Sequence, residues 1–239
     1  MPPHDPAAVP PASVTAGLDV TRARLAAAEQ AAARRPGSVT LVAVSKTFGP
    51  DAIRAAHAHG QCHFGENYVQ EALAKLDTTA DLRAALVWHF IGPVQSNKTR
   101  DLAERFDWVH AVDREKIARR LSDQRPADRP PLNVCVQVNV SGEATKSGVA
   151  PAEAVALAHA CAALPRLALR GFMAIPAPTD DPAAQRAQCR VLRETFDAAR
   201  ASGLPVDTLS MGMTDDLEAA VLEGTTLVRV GRAIFGARA

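Results

Sequence analysis

Lys46 closes the run Val39-Thr40-Leu41-Val42-Ala43-Val44-Ser45. If that run is a strand, alternation puts Val42, Val44 and Lys46 on one face. An ammonium held above an apolar layer is desolvated, which lowers its pKa and frees an amine to attack an aldehyde. A plainer reading leaves Lys46 as a cation that snorkels to solvent or pairs with Glu66. Far along the chain, Ser210-Met211-Gly212-Met213-Thr214-Asp215-Asp216 and Gly231-Arg232 have the makings of an anion site. Glycines let an anion approach the main chain, and Ser210 and Arg232 add a hydroxyl and a cation. The plainer use of the first segment has Thr214 capping a helix, with Asp215 and Asp216 complementing its dipole. Arg229 shares a face with Gly231, or else pairs with Glu66 or Asp215.

Bringing these distant segments together requires a particular order of elements. After a helical opening at 15–34, apolar or β-branched runs occur at 39–46, 62–65, 87–92, 108–112, 132–140, 168–175, 208–212 and 227–230. Between them, helical segments begin near Pro50, Tyr68, Asn97, Arg114, Pro151, Pro182 and Thr214. This alternation predicts a parallel sheet, and eight strands predict a closed (β/α)8 TIM barrel. An open doubly wound sheet would want a glycine-rich turn after its first strand, where this chain reads Ser45-Lys46-Thr47-Phe48-Gly49-Pro50. The domain is expected to be single, over 14–239, with 1–13 as a disordered tail. Barrels place their chemistry at the C-terminal strand ends and often bind phosphate after strands seven and eight. Closure makes strand one a neighbour of strand eight, so Lys46 and Gly231 share a pocket. An amine for an aldehyde beside a phosphate site describes pyridoxal phosphate. Arg229 then reaches the pyridine nitrogen and keeps it unprotonated.

Composition narrows the alternatives. The 239 residues are 47% hydrophobic and 22% charged, with a net charge of +1 and 4% aromatics. Neither the positive excess nor the stacking rings of a nucleic-acid binder are present. No apolar run approaches the ~18 residues of a membrane span, and the proline-rich start does not resemble a secretory signal. Cys62, Cys135, Cys161 and Cys189 form no CxxC, so neither a zinc site nor a redox dithiol is expected, and the reducing cytoplasm is the expected compartment. His57, His59 and His63 read as surface or packing residues rather than metal ligands. His89, beside Trp88, is either a hydrogen-bonded core residue or a ring contact. The single tyrosine, Tyr68, reads as a packing residue at a helix start.

The stretches LVAVSKT, FGENYVQE, WHFIGPVQSNK, RGFMAIP, LSMGMTDDLEAAV and VRVGRAIFG occur in this order between about residues 39 and 238. Together they resemble the pyridoxal phosphate homeostasis protein family (the YggS/PROSC type). The resemblance implies a barrel like the N-terminal domain of alanine racemase. It also implies pyridoxal 5'-phosphate held as an aldimine on Lys46, with Asn67 lining the ring and Arg229 facing the ring nitrogen. Ser210, with the Met211-Gly212 backbone, and Gly231-Arg232 would hold the phosphate. Where relatives often carry threonine, position 232 is Arg, which either replaces a hydroxyl by a charge or turns outward. Such a protein stores the cofactor and supplies it to apo-enzymes, without catalytic residues or a metal of its own, and is expected to be a monomer. The enzymatic alternative is a weak amino-acid racemase or lyase. Two-base racemisation needs an acid on each face, and no second tyrosine is present. A third reading has Lys46 act on a sugar aldehyde without cofactor. Lys146, in a glycine-flanked loop, offers a second amine for hand-off or is a solvated loop residue.

Overall fold

The computed structural model describes residues 9–143 and 146–236. Eight parallel strands close into a barrel in sequence order: β1 (Thr40–Val44), β2 (His63–Glu66), β3 (Val87–Phe90), β4 (Trp108–Val112), β5 (Leu132–Gln137), β6 (Leu167–Met173), β7 (Thr208–Ser210) and β8 (Leu227–Val230). Helices follow the strands: α1 (Pro11–Ala31) precedes β1, and α2 (Pro50–Ala58), α3 (Val69–Thr78), α4 (Thr99–Arg105), α5 (Glu115–Gln124), α6 (Pro151–Ala162), α7 (Pro182–Ala201), α8 (Leu217–Leu222) and α9 (Arg232–Phe235) follow in turn. This is the (β/α)8 architecture that the alternation of elements predicts. Closure is made by β1 against β8, in a register that pairs Thr40 with Leu227 and Val42 with Arg229.

Strand alternation divides the barrel into two cores of different chemistry. Outward residues such as Leu41, Ala43, Phe64, Trp88, Phe90 and Val109 join one apolar cluster with the helices. Val42 and Val44 face inward instead. A Cβ on Gly65 would sit 3.0 Å from Val42 Cγ1, 3.3 Å from Ile91 Cδ1 and 3.4 Å from Val44 Cγ2. The rest of the buried interior includes the polar side chains of His89, His110, Ser210 and Arg229.

Two boundaries differ from the sequence reading. The first helix opens at Pro11, its proline in the first turn, where the missing N–H costs nothing. Val14 and Leu18 are fully buried, so burial of an apolar stripe extends the helix into the stretch read as tail. The rest of that expected tail, residues 1–8, lies outside the described residues. Thr214 caps no helix: α8 starts at Leu217, with Asp216 at the cap position. The Asp216 carboxylate accepts from the Met213 N–H at 2.6 Å, which tightens the turn and displaces the helix start. All four cysteines are free thiols. Burial pushes Cys135, Cys161 and Cys189 up to about 12, so they stay protonated apolar fillers.

Candidate functional site

A cavity of about 490 Å³ opens at the C-terminal strand ends, lined among others by Val44, Lys46, Asn67, Ile91, Arg229 and Arg232. Lys46 is half-buried and stands two residues beyond the end of β1. The backbone on either side of it is held from behind. Lys75, on α3, donates to the Ser45 carbonyl at 2.7 Å, to Glu66 Oε1 at 2.7 Å and to Glu71 Oε1 at 2.6 Å. The Ser45 hydroxyl donates to Glu66 Oε1 at 2.7 Å, and Glu71 accepts the N–H of Thr47. Both peptides flanking Lys46 therefore end on one buried ionic cluster. Thr47 adopts φ +71°, a conformation that costs a β-branched residue energy and persists only where the surroundings hold it. Burial pushes the Glu66 carboxyl up to about 7, opposed by the Lys75 charge and by its hydrogen bonds to Lys75 and Ser45.

Arg229 stands in β8, the strand beside β1. Among the described residues it pairs with neither Glu66 nor Asp215. Its Nη1 donates to the Ser210 carbonyl at 2.6 Å and to the Ser210 hydroxyl at 2.7 Å, and Nη2 donates to the Ala174 carbonyl at 2.8 Å. Burial pulls the guanidinium down to about 10, which leaves it charged at neutral pH. Beneath it a column of side chains crosses the barrel. The Ser210 hydroxyl lies 2.8 Å from His110 Nδ1, His110 Nε2 lies 2.9 Å from His89 Nδ1, and His89 Nε2 lies 2.9 Å from His63 Nδ1. His89 is thus a hydrogen-bonded core residue rather than a pocket contact. His63, read as a surface or packing residue, belongs to the same column. Burial pulls His110 down to about 3 and His89 well below the usual histidine value.

The expected phosphate residues divide into two groups. Gly231 and Arg232 line the cavity with Lys46, Asn67 and Arg229. Arg232 ion-pairs with Asp215 at the rim. Ser210, Met211 and Gly212 do not line it. Ser210 is fully buried below Arg229, and Met211 is a fully buried core residue. The two glycines answer to protein as well: at Gly212, φ is +94° and a Cβ would meet Ala220 Cβ at 2.7 Å, while at Gly231 a Cβ would meet the Val44 carbonyl oxygen at 3.0 Å. Asn67 is delivered by a close approach to the segment just past β3, where a Cβ on Gly92 would lie 2.2 Å from the Asn67 carbonyl oxygen. Its side-chain oxygen is buried and has no hydrogen-bond partner among the described residues. Tyr68, expected to pack, is 56% exposed, because the chain turns at the cap position of α3 and leaves the ring outside. Lys146 lies 3.3 Å from Glu143 and outside the cavity lining, and its neighbours 144 and 145 are not described.

Lys75, Glu71 and His110 did not stand out in the sequence. The histidines had a legible signal: His89 sits between Trp88 and Phe90 and His110 between Val109 and Ala111, so alternation turns each ring away from the apolar layer. Lys75 had none, since a lysine four residues after a glutamate on a helix normally reads as a solvated pair.

Fold and site together define a barrel of the alanine racemase N-terminal-domain class, and that family's model matches residues 18–239. The pyridoxal phosphate homeostasis protein of Pseudomonas aeruginosa is 62% identical over 216 residues, covering 90% of this chain and 92% of that one. Its Escherichia coli K12 counterpart is 51% identical over 222 residues, covering 92% and 95%. The structure of PipY from Synechococcus elongatus, with PLP bound, superposes with a TM-score of 0.82 at 36% identity, over 93% of this chain and all of that one. The chain belongs to the pyridoxal phosphate homeostasis protein family.

Proposed function

We propose that this protein binds pyridoxal 5'-phosphate reversibly at the β1–β8 cavity, with Lys46 in covalent Schiff-base linkage to it, and supplies it to apo-enzymes. The observation that carries the reading is the pairing of Lys46 and Arg229 at one cavity, from adjacent strands of the barrel seam. The residues fit the group. Asn67 offers a buried amide oxygen with no partner among the described residues, so its side chain has hydrogen-bonding capacity to spend on a ligand. Gly231 and Arg232 are the candidate phosphate holders, while Ser210 and the Gly212 carbonyl hold Arg229.

Each residue has a distinct task. Lys46 would supply the amine that takes up the aldehyde, and the cluster around Lys75 holds the backbone on both sides of it. Arg229 would donate toward the ring nitrogen and keep it unprotonated, which would withhold the electron-sink chemistry that amino-acid turnover needs. The carrier reading, rather than racemase or lyase, rests on this and on the lack of a second tyrosine. It is also supported by relatives named as homeostasis proteins. The working compartment in this reading is the cytoplasm, and the working state a monomer.

The test is direct. Purified protein should be yellow, lose its visible band on borohydride reduction, and carry the reduced adduct on Lys46 by peptide mass spectrometry. A Lys46→Ala variant that keeps the same band would overturn the assignment.

A further inference from the structure

Three histidines on three consecutive strands, His63, His89 and His110, form an unbroken hydrogen-bonded column with Ser210 and Arg229. His89 and His110 are fully buried, and a buried imidazole column without a metal cluster among the described residues calls for a purpose.

The direction of every bond in the column follows from its top. Arg229 is a donor only, so Ser210 Oγ accepts from it at 2.7 Å. The single Ser210 hydroxyl hydrogen then needs an acceptor, and His110 Nδ1, at 2.8 Å, is the partner the structure gives it. His110 Nδ1 is therefore bare and its proton sits on Nε2, which donates to His89 Nδ1. By the same step His89 donates from Nε2 to His63 Nδ1. All three rings are neutral Nε2–H tautomers, and every bond donates downward from Arg229. Aligned bonds polarise one another in a low dielectric, so the column is stiffer than its separate bonds.

At the upper end of the column the charges favour the same state. The Arg229 charge above His110 opposes its protonation, and the neighbouring histidines do so for His89. At the floor, Asp107 favours a charge on His63, while Arg170 lies over the Trp108 ring, whose centroid is 5.4 Å from that of His89.

We propose that His110 is a positioning residue for Arg229: acting through Ser210, the polarised histidine column fixes the guanidinium that faces the pocket. The Ser210 hydroxyl and the Ala174 carbonyl draw down the two Nη atoms, so the guanidinium has one orientation to offer a ligand. Ser210 on this account serves the ring-nitrogen side of the site from below. The column exists whatever the pocket binds, but its role in binding rests on the pyridoxal phosphate reading.

The experiment has two arms, so that the two ideas fail separately. In the ligand-free wild-type protein, imidazole nitrogen NMR should give Nε2–H for His63, His89 and His110, and Arg229→Gln should mix the tautomers. A proton on His110 Nδ1 in wild type would overturn the polarised column. In the second arm, pyridoxal phosphate is titrated into wild type, His110→Phe and His110→Gln. His110→Phe should shift the absorption band of the bound cofactor and weaken uptake about fivefold, the worth of about one hydrogen bond. His110→Gln, whose amide oxygen still accepts from Ser210, should recover most of both. A wild-type spectrum and affinity in folded His110→Phe would refute the positioning role. If wild type itself takes up no cofactor, the binding reading falls, and the tautomers still decide the column.

Discussion

The Lys75 ammonium lies 2.7 Å from the carbonyl oxygen of Ser45, the residue immediately before Lys46. One lysine is therefore spent on locating the other. Lys75 is 4% exposed and Glu66 not at all, so the contact has the strength and the cost of a buried ion pair. The cluster is anchored in α3 and β2, and it locks the end of β1 to the neighbouring element instead of leaving it as a free strand end.

Lys75→Met should be severely destabilising. It strands the buried Glu66 carboxylate and the Ser45 carbonyl, a loss of about 3–5 kcal/mol on the scale of broken buried pairs. Urea unfolding measures it. Glu66→Gln, which keeps an acceptor for Lys75 and Ser45, should cost less than half as much, and equal losses would show that the carboxylate charge rather than its hydrogen bonds dominates.

Gly92→Ala should weaken pyridoxal phosphate uptake at least tenfold by pushing Asn67 away from its seat beside Gly92, since the new Cβ would lie 2.2 Å from the Asn67 carbonyl oxygen. Gly37→Ala is the control: with φ +74° and nothing within 4 Å, it should cost only backbone strain of about 1 kcal/mol and leave binding alone. Absorbance titration of both variants separates the two effects.

The rim pair makes a third expectation. Asp215 holds Arg232 by an ion pair, and a phosphate must compete for the same guanidinium. Asp215→Asn should therefore tighten pyridoxal phosphate about two- to threefold and leave pyridoxal unchanged. In wild type, pyridoxal without phosphate should bind at least about tenfold more weakly than the phosphorylated form. Equal affinities would remove Gly231 and Arg232 from the phosphate assignment.

Acid should unfold this protein early. His110 has its folded value pulled to about 3 from an ordinary 6.5, and His63 and His89 are lowered too. Below about pH 6.5 the unfolded chain takes up protons that the folded column refuses, so stability present above that value is lost as pH falls toward 3. His110 contributes up to about 1.4 kcal/mol per pH unit in that window, and His63 and His89 act in the same direction. Thermal melts between pH 7 and 5 should show the slope, and His110→Phe should reduce it by about one proton. An unchanged slope in that variant would mean that His110 titrates normally.

Amino-acid turnover should stay below about 1 s⁻¹, the low end of enzyme rates. Arg229 lines the cavity, and Tyr68, the sole tyrosine, is 56% exposed. Each missing general acid or base is worth about 10²–10⁴ in rate. Racemisation and deuterium exchange at Cα across a panel of amino acids check it, and faster steady-state turnover on any of them would favour the racemase or lyase.

The barrel was legible in the chain because its signal is local and repeated. Runs such as Trp108–Val112 and Leu227–Val230 announce strands by β-branched content, and Pro50, Pro151 and Pro182 announce helix starts by their fixed φ. Once eight such units are counted, closure follows, and with it the meeting of Lys46, Arg229 and Gly231 in one pocket. What the sequence alone determined was thus the set of strand-end residues and their common face. Which atoms those residues touch was decided only by the tertiary structure. Ser210 shows why: from its strand it was equally able to face a phosphate or the barrel axis, and it turned inward because Arg229 and His110, each distant in sequence, needed a hydroxyl between them. Lys75 shows it again, since its helix exposes a face that only the docking of α3 on β1 and β2 converts into a buried one. Side-chain partners across the barrel have no sequence spacing to be read from, because they are chosen by burial, where an unsatisfied polar group costs more than any local preference can return.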